Sequence, residues 1–279
     1  MKLSKLSLWV VLNLFILGVA NADAPKGYKL VWSDEFTPTV NHKLGQPTPV
    51  PGAPDSLKWD YTLKKDNQDE LQTYTTSTQN ASVVKDKEAL DGYALKIQAI
   101  KDKKGTLTSA RLATKDKYSF QYGYVECRAK LPYGQGMWPA FWMLGTDIDK
   151  VSWPACGEVD IMEAIGKDPG INYGSIHGPG YIGGKLGDKY TLPNGELYKD
   201  AYHTFAIEWT PKRVKFFMDD KLYANFTPKD LPPDSTWAFE HPFYLILQLA
   251  LGGSWGENPD DTTVFPQSLM VDYVHVYQK

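Results

Sequence analysis

No stretch of a dozen residues in this chain sustains a 3.6-residue apolar period, and that absence constrains its fold more than any other feature. Instead, YALKIQAI (93–100), YGYVECRAKL (122–131), AYHTFAIEW (201–209), RVKFFMDDKLYANF (213–226) and SLMVDYVHVYQ (268–278) alternate or are rich in β-branched and aromatic residues. Gly92 and Asp219-Asp220 stand where tight turns are expected. Strands with one apolar face must bury it against a second sheet, so the expected fold is all-β, a sandwich or jelly roll. Two segments lack a strand pattern and are expected to be surface loops: the proline-dense 37–56 and the glycine-rich 181–196.

The opening 22 residues read differently. Lysines at positions 2 and 5, an apolar run from Leu6 to about Val19 and a closing Ala20-Asn21-Ala22 make a secretory leader, with cleavage expected after Ala22. The apolar run falls short of the ~20 residues of a membrane span. No linker or repeat divides residues 23–279, so one domain is expected, as a monomer. A net charge of −3 argues against nucleic acid or an anionic membrane as partner. Nine Trp and seventeen Tyr exceed what a core alone requires and suit a sugar-binding groove. Cys127 and Cys156 could pair outside the cytoplasm, or remain two buried thiols, and the sequence leaves both open. The sequons at Asn80 and Asn225 matter only in a host that glycosylates.

The segment GEVDIMEAIG (157–166) places three carboxylates among apolar residues. On a strand, Glu158 and Asp160 share a face, and Glu163, an odd number of steps on, falls on the wrong one. One extra residue near Ile161-Met162, a β-bulge, resets the alternation and brings Glu163 round. On a helix, positions 158 and 163 would lie about 140° apart, so the strand with a bulge is the geometry that unites all three. Three acids facing one groove must split their pKa values. One glutamate then serves as nucleophile, the other as general acid, and the aspartate tunes both, as glycoside hydrolysis by double displacement requires. A calcium site would want carbonyls from an irregular loop as well. Trp138, Trp142 and Trp153 flank the cluster, offering flat faces to pyranose rings.

With these flanks the chain resembles family 16 glycoside hydrolases, most closely the laminarinase-like endo-β-1,3-glucanases. The resemblance runs through LVWSDEF (30–36), DELQTYT (69–75), SARLATK (109–115), GMWPAFWMLG (136–145), WPACGEVDIMEAIG (153–166), SIHG (175–178), LALGGSW (249–255) and FPQSLMVDYVHVY (265–277). It implies a concanavalin A-like jelly roll whose concave sheet forms an open cleft that cuts β-glucan internally with retention. It also implies Glu158 as nucleophile, Asp160 as assisting acid and Glu163 as acid/base, with no catalytic cofactor. Trp138, Trp142, Trp153, His177, Arg111, Glu70, Trp255 and Gln248 would line the cleft. A structural calcium on the convex side would be held by Glu35, the Gly92 carbonyl and Asp272.

The chain departs from the family pattern in three places. Gln68-Asp69-Glu70 stands for Asn-Asn-Glu, Gln248 for Asn, and His275 for an Arg in the last strand. The first two bear on glucan preference. The same scaffold serves mixed-linkage β-1,3-1,4-glucanases, galactan hydrolases and transglycosylases. A non-catalytic β-glucan-binding protein is the alternative of a different class, although such relatives typically lack the glutamates.

Overall fold

The computed structural model describes residues 24–38, 52–65 and 69–279. The leader, the middle of the 37–56 segment and Gln68 lie outside the described residues. The strands in chain order are β1 (Lys29–Asp34), β2 (Asp60–Tyr61), β3 (Thr73–Tyr74), β4 (Ala81–Lys85), β5 (Tyr93–Lys101), β6 (Leu107–Ser109), β7 (Arg111–Ala113), β8 (Gly123–Lys130) and β9 (Met137–Gly145). They continue with β10 (Glu158–Glu163), β11 (Ile171–His177), β12 (Gly187–Thr191), β13 (His203–Thr210), β14 (Arg213–Met218), β15 (Lys221–Phe226), β16 (Phe243–Leu251) and β17 (Gln267–Gln278). Two one-turn helices, α1 (Ile148–Val151) and α2 (Gly253–Gly256), interrupt them.

These strands form two sheets, a jelly roll. One runs β12-β11-β10-β9-β16-β7-β2; the other follows β15-β14-β13-β8-β17-β5-β6-β3, with β1 added to β17 and β4 to β5. Pairing is antiparallel except between β3 and β6. The expected strands all form, and the Asp219-Asp220 pair makes the β14–β15 turn with both φ values positive. One expectation needs correction: residues 181–196 are not all loop, since β12 lies within them and pairs with β11. Its exposed sequence, GDKYT, hides an edge strand because an edge has little apolar face to show.

Alternation explains how the sheets meet. Along β9, Met137, Phe141 and Met143 enter the main core while Trp138, Ala140, Trp142 and Leu144 face the other way. Along β16, Phe243, Leu245, Leu247 and Leu249 enter the same core. From the opposite sheet come Val125, Phe205, Ile207, Trp209, Val274 and Val276. Each such side chain, fully buried, stabilises by about 1.5–3 kcal/mol. The outer face of β9, β10, β11 and β16 is thereby left to form the site.

Candidate active site

The register around β10 contains the bulge. Asp160 lies opposite Trp142 of β9, Met162 opposite Phe141, and Glu163 opposite Ala140, so β10 spends one residue more than its partner. Val159, Ile161 and Met162 all point into the core, and Glu158, Asp160 and Glu163 all line the hollow on the other face. Gly157 makes the entry to this strand. Its φ is +71°, and a Cβ there would run into the Ala238 carbonyl and the Phe243 ring.

The three acids differ in their surroundings. Asp160 is nearly enclosed, and its Oδ2 accepts from the Ser175 hydroxyl at 2.6 Å and lies 2.9 Å from His177 Nε2. Glu158 remains partly open to the cleft, with Oε1 3.7 Å from the same His177 nitrogen. Glu163 accepts from the Trp138 indole N–H at 2.9 Å. Burial, then the charges of Asp160 and Glu158, push the Glu163 carboxyl well above the usual carboxylate range, against the pull of the Trp138 hydrogen bond and His177. Burial would lower His177, but the Asp160 charge and hydrogen bond, with Glu163 behind them, raise it overall.

The cleft continues to both sides of the acids. One hollow, of about 590 Å³, is lined by Glu70, Trp138, Ala140, Trp142, Trp153, Gln248 and the acids, and reaches Lys64, Ile148, Asp149 and Ser152. The other, of about 760 Å³, shares Trp138, Trp153, Glu158 and Glu163 and adds Tyr173, Ser175, His177, Trp255, Asp188 and Lys189. Trp153 stands at the join with 45 % of its surface exposed. Trp138 packs edge-on against Trp255, which packs likewise on Tyr173. All the expected cleft residues except Arg111 therefore line the cleft, and the cations there are few. Arg111 sits beneath the floor, 4.8 Å from the centre of the Trp142 ring. Trp142 Nε1 and Gln248 Oε1 are buried without a hydrogen-bond partner among the described residues, a donor and an acceptor at the floor of a polar groove. Glu70 is buried and accepts from Gln72 at 2.6 Å.

Ser175, Tyr173, Lys64, Asp149, Asp188 and Lys189 were not anticipated from sequence. Ser175 and Tyr173 had a signal, since Tyr173, Ser175 and His177 alternate along β11. The others had none, because a loop, the one-turn helix α1 and an edge strand bring them.

Two expectations fare differently. The side chains named for a structural calcium do not form a fitting set: both Glu35 oxygens lie 3.0 Å from His275 Nε2, and Asp272 is paired with the Arg128 guanidinium and accepts from the Leu90 N–H. The Gly92 carbonyl accepts from Asp86 N–H at 3.0 Å. Asp91 has a buried Oδ2 with no hydrogen-bond partner among the described residues, and burial and the Glu35 charge raise its pKa. A cation there would have to compete with His275 and Arg128. The cysteines do not bond: Cys127 lies in the main core, Cys156 in a smaller cluster under the cleft rim. Asn80, one of the two sequon residues, is buried and donates to the Gln98 carbonyl at 2.9 Å.

Comparison with known proteins agrees with this geometry. Residues 65–274 match the model of glycosyl hydrolases family 16. A beta-glucanase of Rhodothermus marinus is 37 % identical over 96 % of this chain and 92 % of its own. The laminarinase catalytic domain of Thermotoga maritima superposes with a TM-score of 0.76 at 39 % identity, covering 90 % of this chain and 98 % of its own. A non-specific endo-β-1,3(4)-glucanase superposes with a TM-score of 0.76 at 36 % identity, over 92 % of this chain and 96 % of its own. With the carboxylate trio, the bulge and the jelly roll in place, this chain is a glycoside hydrolase and belongs to glycosyl hydrolases family 16.

Proposed function

We infer that the protein is an exported, monomeric endo-β-1,3-glucanase that hydrolyses laminarin-type glucan by double displacement with retention. The observation that carries the chemistry is the bulge, which puts a partly exposed glutamate and a proton-holding glutamate on one face of β10. Glu158 attacks the anomeric carbon. Glu163 gives its proton to the departing glycosidic oxygen, then takes one from the water that releases the glycosyl-enzyme. An indole N–H can only donate, so Glu163 Oε1 accepts from it, and we assign the transferable proton to Oε2. The β-1,3 preference is supported by the laminarinase among the structural neighbours. The cleft runs on past the acids to both sides, which suits cutting inside a chain. Export follows from the leader expected at residues 1–22.

A broader preference has its own support, since the neighbour at 36 % identity is named non-specific for β-1,3(4) links. Reducing ends released from laminarin, lichenan and agarose, measured side by side, test the reading. Fastest release from laminarin is expected; none from laminarin defeats it. Glu158→Ser should abolish turnover and leave glucan binding in place. Binding without turnover in the unaltered protein would favour a non-catalytic receptor instead.

A further inference from the structure

His177 is held to the site through one atom. Its Nε2 lies 2.9 Å from Asp160 Oδ2, 3.0 Å from Ser175 Oγ and 3.7 Å from Glu158 Oε1. Its Nδ1 is buried and has no hydrogen-bond partner among the described residues. A carboxylate oxygen can only accept, so Nε2 carries the proton it shares with Asp160. The Ser175 hydroxyl meanwhile donates to the same Asp160 oxygen. Cross-strand register builds this cluster: Glu158 lies opposite His177, and Asp160 opposite Ser175. The imidazole thus stands between the two acids at the attacking end of the trio, on the side away from the Trp138–Glu163 hydrogen bond.

We propose that His177 is a positioning residue for the nucleophile: with Ser175 it clamps Asp160, and through that clamp and its own ring it sets the orientation and electrostatic environment of Glu158. This deepens the reading of Glu158 as nucleophile and rests on it. The charged and titratable groups facing the ring are Glu158, Asp160 and Glu163 from β10, and Asp188 and Lys189 of β12 line the same hollow. Acids outnumber the one lysine, which agrees with the upward displacement of the His177 pKa. The ring therefore contributes two separable things, a hydrogen bond that fixes position and, when protonated, a positive charge that favours ionised neighbours.

Two variants separate them. His177→Gln keeps an N–H donor near Nε2 without the charge, and His177→Ala loses both. With an activated aryl β-glucoside, whose leaving group needs no proton, the first step reports on the nucleophile. His177→Ala should lower kcat about 10- to 100-fold on this substrate and on laminarin alike, the scale of a lost hydrogen bond to a charged group. KM should stay within about twofold, because the residue acts through Asp160 rather than on the sugar. His177→Gln should recover most of that kcat at its own optimum, while the acid limb of the kcat/KM profile, where the ring is protonated, moves to higher pH by about 1 unit, as removal of a nearby cation requires. Thermal denaturation of both variants checks that they fold. A raised KM with kcat retained would make His177 a sugar contact and overturn the proposal, as would an unmoved acid limb in His177→Gln. If laminarin proves the wrong polymer, the comparison runs unchanged on whichever glucan the unaltered enzyme cleaves, so the two readings fail separately.

Discussion

Replacing Trp138 by Phe tests how the acid/base glutamate is tuned. The ring contact with Trp255 survives in large part, and what disappears is the 2.9 Å hydrogen bond from Nε1 to Glu163 Oε1. That bond favours the ionised carboxylate and so opposes the burial and the acidic neighbours that hold the proton on. A hydrogen bond to a charged group is worth about 1.5–3 kcal/mol, and one pKa unit corresponds to about 1.4 kcal/mol. Discounting for the partial exposure of the pair, the Glu163 pKa should rise by about one further unit. The enzyme needs Glu163 protonated to begin the reaction, so activity falls as pH rises through this pKa. The alkaline limb of kcat/KM on laminarin should therefore move about one unit upward in Trp138→Phe. The acid limb, belonging to the nucleophile's side of the trio, should hardly move. An alkaline limb that stays in place, or moves to lower pH, would show that Glu163 is not the group titrating there.

Glu163→Gln should lose activity on laminarin by about 10²- to 10⁴-fold, the usual reach of general acid catalysis, yet lose far less in glycosylation by activated aryl glycosides; equal first-step losses, read from the burst of released aglycone, would remove the acid role. Dialysis against a chelator should leave the melting temperature unchanged, because Glu35 and Asp272 are already engaged by His275 and Arg128. A fall on chelation that calcium reverses would show that the ion displaces those partners. Leu247→Ala empties a fully buried position facing the opposite sheet. It should cost about 2–5 kcal/mol and lower the melting temperature by roughly 5–15 °C, with kcat/KM unaltered at 25 °C in the folded fraction.

Much of the site was legible before any coordinates. Alternation along a strand is a local rule, so the odd spacing of Glu163 from Glu158 already demanded an extra residue, and the register supplies it at Ile161-Met162. Trp138, Trp142, Trp153, Gln248 and Trp255 were legible through motif resemblance, and they gather where expected. Less visible was the edge strand β12, whose polar sequence carries no period to read. The calcium set rests on motif position alone, and a motif cannot show that His275, standing where relatives carry Arg, turns its ring onto Glu35.

By itself the sequence determined the all-β architecture, the shared face of the three acids and the family, because period-two alternation, and the odd spacing that breaks it, are read from neighbours along the chain. Tertiary structure decided which partner each acid received. Ser175 and His177 reach Asp160, and Trp138 reaches Glu163, through strand pairing between segments distant in sequence. It also placed Cys127 and Cys156 in separate clusters, where no bridge forms. The acids' different protonation follows from those neighbours and from unequal burial, and neither is a property of six consecutive residues.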